Sequence, residues 1–166
     1  SGAGEAATTG DYNTAVGADA LTALTTASNN TAVGYAALIS ATTGGYNSAL
    51  SRQALYSTTT GTYNTAAGSS ALYTNTTGGD NVAIGADALL DATTGNRNTA
   101  LGKSAGANLT TGDDNTAIGR MALFTATTIS DTVAVGKNAL YSMTTGAGNT
   151  AVGYEAGTTL TTAANT

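Results

Sequence analysis

The sequence predicts an all-β fold, a parallel β-solenoid with 17 residues per coil. Three observations carry that expectation. The segment N-T-A-V-G at Asn13 to Gly17 returns with coils beginning at positions 13, 30, 47, 64, 81, 98, 115, 132 and 149, always 17 apart and without insertion. The chain is rich in residues that disfavour helices, with 35 Thr and 22 Gly among 166 residues. Its apolar content is mostly Ala, with one Phe and no Trp. So thin a core suits an elongated stack in which each unit touches only its neighbours. A 17-residue period is also too short for two helices and a turn, which need about 33 residues or more.

Within each coil the elements follow in order. Positions 1–4 read as a strand, ending in a corner at position 5, which is Gly in every coil but one, where Ser51 stands. A second short strand is expected near positions 8–11, then a Thr-Thr segment at 13–14 and a Gly turn. Stacked coils should rise by about 4.8 Å each, so nine coils would make a rod roughly 40–45 Å long. Position 1 is Asn in eight of nine coils, with Thr132 the exception, and predicts a buried amide ladder. Positions 3 and 8 are Ala throughout, from Ala15 to Ala151 and from Ala20 to Ala156. Position 4 is apolar throughout: Val16, Val33, Leu50, Ala67, Ile84, Leu101, Ile118, Val135 and Val152. Position 9 is Leu except at Gly106 and Gly157. The chain 1–166 is thus one repeat domain. Residues 1–12 fit the end of a preceding coil, with Ala3, Thr8 and Thr9 in register, and Thr166 begins another. An array that opens and closes in mid-repeat is expected to be part of a longer one or to be completed by something else.

Side-chain alternation in a strand sends neighbours to opposite faces. On that rule positions 3 and 4 diverge, as do positions 8 and 9, so both faces of both strands would carry apolar columns. One face lines the coil; the other needs a cover, and identical chains around an axis parallel to the rod are the simplest. Alternation alone leaves open which column faces which way.

Composition narrows the function. Five cations stand against ten acids, giving a net charge of −5, which argues against nucleic acid as a partner. No apolar run is long enough for a spanning helix. Without Cys or His, Cys- and His-based nucleophilic catalysis is excluded and the usual zinc ligands are lacking. Asp113, Asp114 and Asp131 could touch a cation but do not form a calcium-loop pattern. Neither a cofactor nor a metal is expected. Asn29, Asn75 and Asn108 begin N-x-T sequons.

Two features suggest a contact surface. Four of the five cations share position 6: Arg52, Lys103, Arg120 and Lys137. They are read either as a solvated edge or as a groove for an acidic partner. Tyr56, Tyr73, Phe124 and Tyr141 form an aromatic column at position 10 with Ile39 and Leu90, and Tyr46 and Tyr63 are expected to stack at position 17.

The segments Asn81-Val82-Ala83-Ile84-Gly85 and Thr132-Val133-Ala134-Val135-Gly136 resemble the N-S-V-A-I-G repeat of trimeric autotransporter adhesin heads. The longer N-T-A-V-G-x-x-A-L-x-x-x-T-T-G pattern also resembles repeats of phage tail fibres and other bacterial surface fibres. The resemblance covers essentially the whole chain. It implies left-handed coils, a homotrimer and an extracellular, cell-surface place, with a host or surface ligand. Typical head repeats are nearer 14 residues, so these coils should be wider. No neck, stalk or anchor is visible in the sequence.

The function expected is therefore a non-catalytic structural or adhesive rod that self-associates, with end-to-end stacking into fibres possible at open coil ends. The alternatives are an ice-binding solenoid using the Thr-Thr rank, or a phage tail-fibre segment. A polysaccharide-cleaving solenoid would need clustered carboxylates, and position 7 offers only Asp19, Asp87 and Glu155.

Overall fold

A computed structural model describes residues 2–3, 9–162 and 164–165. The register assigned to Thr8 and Thr166 falls outside these residues. The described residues form nine strands of three residues each and no helix: β1 (Thr14–Val16), β2 (Thr31–Val33), β3 (Ser48–Leu50), β4 (Thr65–Ala67), β5 (Val82–Ile84), β6 (Thr99–Leu101), β7 (Thr116–Ile118), β8 (Val133–Val135) and β9 (Thr150–Val152). They make one parallel sheet in sequence order, β1 to β9. The register advances by one repeat at every step, pairing Ala83 with Ala100 and Ile84 with Leu101. The chain is a β-solenoid with 17 residues per turn.

Buried amides run the length of the stack. In the middle coils the position-1 Asn donates through Nδ2 to the position-15 carbonyl of its own coil, as Asn81 does to Gly95 at 2.8 Å. Its Oδ1 accepts the backbone N–H of the next Asn, as Asn81 does from Asn98 at 2.9 Å. The amide thereby staples the coil across its interior and ties it to its neighbour. Thr132 keeps its place because its N–H still finds Asn115 Oδ1 at 3.2 Å.

The strand places position 3 inside and position 4 outside. The Ala column at position 3 is fully buried from β2 to β8, whereas Ile84 and Leu101 on position 4 are more than two-fifths exposed. The second strand expected at positions 8–11 is absent. A run of turns replaces it, and the predicted divergence of positions 8 and 9 fails with it: Ala88 and Leu89 are both buried. The reason is backbone conformation. Position 7 has φ of 54–61° and the position-9 Leu residues have φ of 49–53°. A left-handed residue breaks period-2 alternation, so consecutive side chains can turn inward together. The inter-coil ladder survives, since Leu89 N–H still donates to Ala105 O at 3.0 Å and Asp87 N–H to Ser69 O at 3.0 Å.

Left-handed Leu costs about 1–2 kcal/mol per residue. Burial of the side chain offsets it by about 1.5–3 kcal/mol. Where Leu is missing from position 9, the same coil supplies it at position 12: Leu109 follows Gly106 and Leu160 follows Gly157. A Cβ on Gly157 would lie 2.7 Å from Leu140 Cδ2, so the interior is filled by volume exchange between the two columns.

Position 5 demands Gly twice over. Gly85 has φ of 130°, and a Cβ there would sit 2.7 Å from the Gly102 carbonyl carbon. Ser51 occupies the same corner with φ of 134°. Ser51→Gly should therefore stabilise the protein by about 1–2 kcal/mol, read as a raised urea midpoint at unchanged slope. Asn81→Ala should do the opposite. It leaves the Asn98 N–H and Gly95 carbonyl buried without their amide partner and should cost about 2–4 kcal/mol in the same titration.

Candidate interaction surface

The outward face of the sheet carries two parallel columns. Position 2 contributes Thr and Ser, with Val82 and Val133. Position 4 contributes Val, Leu and Ile, with Ala67. Val16, Val33, Leu50, Ile84, Leu101 and Val152 are exposed. Because each side chain stands above its equivalent, single exposed aliphatics merge into a continuous strip along the rod.

Beyond the position-5 corner lies position 6. Arg52, Lys103, Arg120 and Lys137 are all exposed there, as the sequence placed them. Lys103, Arg120 and Lys137 fall in consecutive coils, and the Lys137 ammonium sits 5.1 Å from the ring centroid of Tyr154 in the coil above. Arg52 is separated from them by Ser69 and Ala86. The Tyr154 phenol is shifted above its usual value by a hydrogen bond with Glu155, reinforced by that carboxylate's charge.

The position-10 aromatics divide into two pairs. Tyr56 stacks on Tyr73 with ring centroids 4.8 Å apart, and Phe124 on Tyr141 at 5.2 Å. Leu90 and Ala107 stand between the pairs in the column. All four rings are half-buried, with faces spent on each other. Tyr46 and Tyr63 stack at 4.8 Å on position 17 and are more exposed.

On the other side of the strand from position 6 lie the acids of positions 16 and 17, among them Asp80, Asp113, Asp114 and Asp131. Arg97 binds Asp114 of the next coil through two bonds, Nε to Oδ1 at 2.7 Å and Nη2 to Oδ2 at 2.8 Å. That bond holds the Asp114 carboxyl below its ordinary value and raises Arg97. Asp113 Oδ1 accepts from Asn96 N–H at 2.7 Å. Asp113 and Asp114 are thus committed along their own columns. Among the described residues there is no enclosed pocket and no group of three or more His, Cys, Asp or Glu side chains that could hold a metal.

The two Thr columns differ in exposure: position 13 is half-buried from Thr25 to Thr110 and exposed at Thr127, Thr144 and Thr161. Position 14 is exposed in each described coil. Position-13 hydroxyls instead donate to the carbonyl of the next coil, as Thr76 does to Thr93 at 3.0 Å and Thr93 to Thr110 at 3.1 Å. A single outward Thr column runs along most of the stack, and two run together only at Thr127–Thr128, Thr144–Thr145 and Thr161–Thr162. Of the sequon residues, Asn75 is fully buried in the interior, Asn108 half-buried and Asn29 exposed.

No family model, curated protein or solved structure matches this chain. The surface must therefore be read from its own chemistry.

The depressed Asp114 pKa fixes the direction of a pH effect. Its contribution is present above the ordinary carboxylate value of 3.8 and is lost as pH falls through the lower, folded-state value. Arg97→Gln should lower the melting temperature slightly, by the same amount at pH 7 and pH 5. The difference from wild type should close in strong acid, as read by thermal melts across that range.

Proposed function

We propose that this chain is a segment of a non-catalytic, extracellular structural or adhesive rod that self-associates side by side. The uncovered aliphatic strip at position 4 is the observation that carries this reading. Val, Leu and Ile in an axial line, interrupted only by Ala67, are costly to leave in water, and a partner presenting a matching line would bury them together. Copies arranged about an axis parallel to the rod satisfy this at every coil simultaneously. The resemblance to trimeric adhesin head repeats supports three copies, left-handed coils and a cell-surface place. A tail-fibre segment would use the same architecture. The shared stacking of amides, hydroxyls and rings needs no cofactor and offers catalysis no positioned base.

Light scattering should give a mass three times that of the chain, and negative-stain images should show rods or fibres. Ile84→Lys with Leu101→Lys should yield a folded monomer, because both side chains point outward and the interior is untouched. A wild-type protein that is monomeric at high concentration would end the self-association reading. Thermal hysteresis in the same preparation would favour the ice-binding alternative.

A further inference from the structure

We infer that the position-6 corner at Lys103, Arg120 and Lys137 is a docking track for a linear acidic polysaccharide. Three cationic residues in consecutive coils have backbones about 4.8 Å apart along the rod, the separation of neighbouring strands. All three are exposed, and none is paired to a carboxylate. The intervening position-7 side chains in those coils are uncharged: Ser104, Met121 and Asn138. Carboxylates of the same coils, Asp113, Asp114 and Asp131, lie at positions 16 and 17 on the other side of the strand. Asp87 and Glu155 at position 7 flank the row, one coil before Lys103 and one coil after Lys137, and Glu155 accepts from Asn138 Nδ2 at 3.4 Å. Within these three coils charge is therefore segregated across the sheet, with the cations on one edge and the carboxylates on the other.

Such an edge selects its partner by charge spacing. A strand of duplex nucleic acid carries a charge about every 3.4 Å, denser than the row, and the net charge of −5 repels the excess. A polysaccharide bearing one acidic group per sugar ring or two has a spacing closer to one coil or two, and can meet the three cations in turn without bending. Tyr154, two-thirds exposed at the end of the row, offers an amphipathic ring beside Lys137 on which a sugar could rest. Position 6 lies around the corner from the aliphatic strip, so the track does not depend on self-association.

The test is fluorescence-polarisation titration of the wild-type protein with labelled alginate, a linear polyuronate, alongside neutral dextran and single-stranded poly(dT). Alginate should bind, dextran should not, and poly(dT) should bind more weakly than alginate. Affinity should fall roughly tenfold to twentyfold between 50 and 200 mM salt, the loss expected when about three contacts release counterions. Replacing Lys103, Arg120 and Lys137 together by Gln should weaken binding at least about tenfold, while Arg52→Gln, outside the row, changes it less than about twofold. Circular dichroism confirms that each variant stays folded. No alginate binding at low salt, undiminished binding by the triple variant, or poly(dT) binding as tightly as alginate would each overturn the inference.

Discussion

The vertical register of the coils is the constraint on which every other feature of this molecule depends. From Asn30 to Asn115 each position-1 Asn has its amide locked between a carbonyl of its own coil and the N–H of the next, inside a core that water does not reach. A satisfied bond of this kind contributes only about 1 kcal/mol net, but a buried group left without its partner costs about 1–3 kcal/mol. The penalty, repeated at every coil, is what forbids insertion. A one-residue slip would take each of these amides away from both partners at once, a cost that favours a spacing of 17 without insertion.

That register also explains a backbone that would be unfavourable in isolation. Positions 7, 9 and 17 hold non-glycine residues at positive φ in coil after coil. Each carries a local cost, yet in the stack each is held by an inter-coil hydrogen bond from its own N–H, as Asp87 is to Ser69, Leu89 to Ala105 and Arg97 to Gly79. The left-handed turns close a 17-residue circuit without a second strand and bring Ala at 8 and Leu at 9 into one thin interior. Exchange of Leu between positions 9 and 12 at Gly106–Leu109 and Gly157–Leu160 shows that each coil keeps at least one large apolar side chain in its interior, whichever column supplies it.

Period, strand position, amide ladder and the Tyr46–Tyr63 stack were all legible in the sequence, because each follows from like stacking on like. The inward turn of positions 8 and 9 was not, since alternation by twos holds only for extended backbone and Leu is a poor sign of a left-handed residue. A signal was nonetheless present. Gly replaces Leu only at Gly106 and Gly157 in that column, and Gly148 stands among Asp, Asn and Tyr at position 17; glycine substituting freely for a large side chain marks a positive φ. Inside and outside could have been separated in the same way. Position 3 is Ala without exception, as a closed interior requires, whereas position 4 ranges from Ala67 to Leu50 to Ile84, a tolerance of size that only an outward column enjoys.

The same logic divides scaffold from surface chemistry. Columns 1, 3 and 8 scarcely vary, since they hold the register. Columns 6, 10, 16 and 17 vary because they face solvent at least in part, and they concentrate most of the charge and the aromatic rings. Lys103, Arg120 and Lys137 on one side of the strand and Asp113, Asp114 and Asp131 on the other cannot be redistributed by rotamer changes, for the backbone fixes each Cα one coil from the next. A surface so built presents contacts in a line at one interval. It discriminates poorly among compact ligands, which span one or two coils, and strongly among extended ones, for which every mismatch of interval is repeated at the next contact. Recognition by this fold is therefore biased toward linear partners whose own repeat is commensurate with the coil.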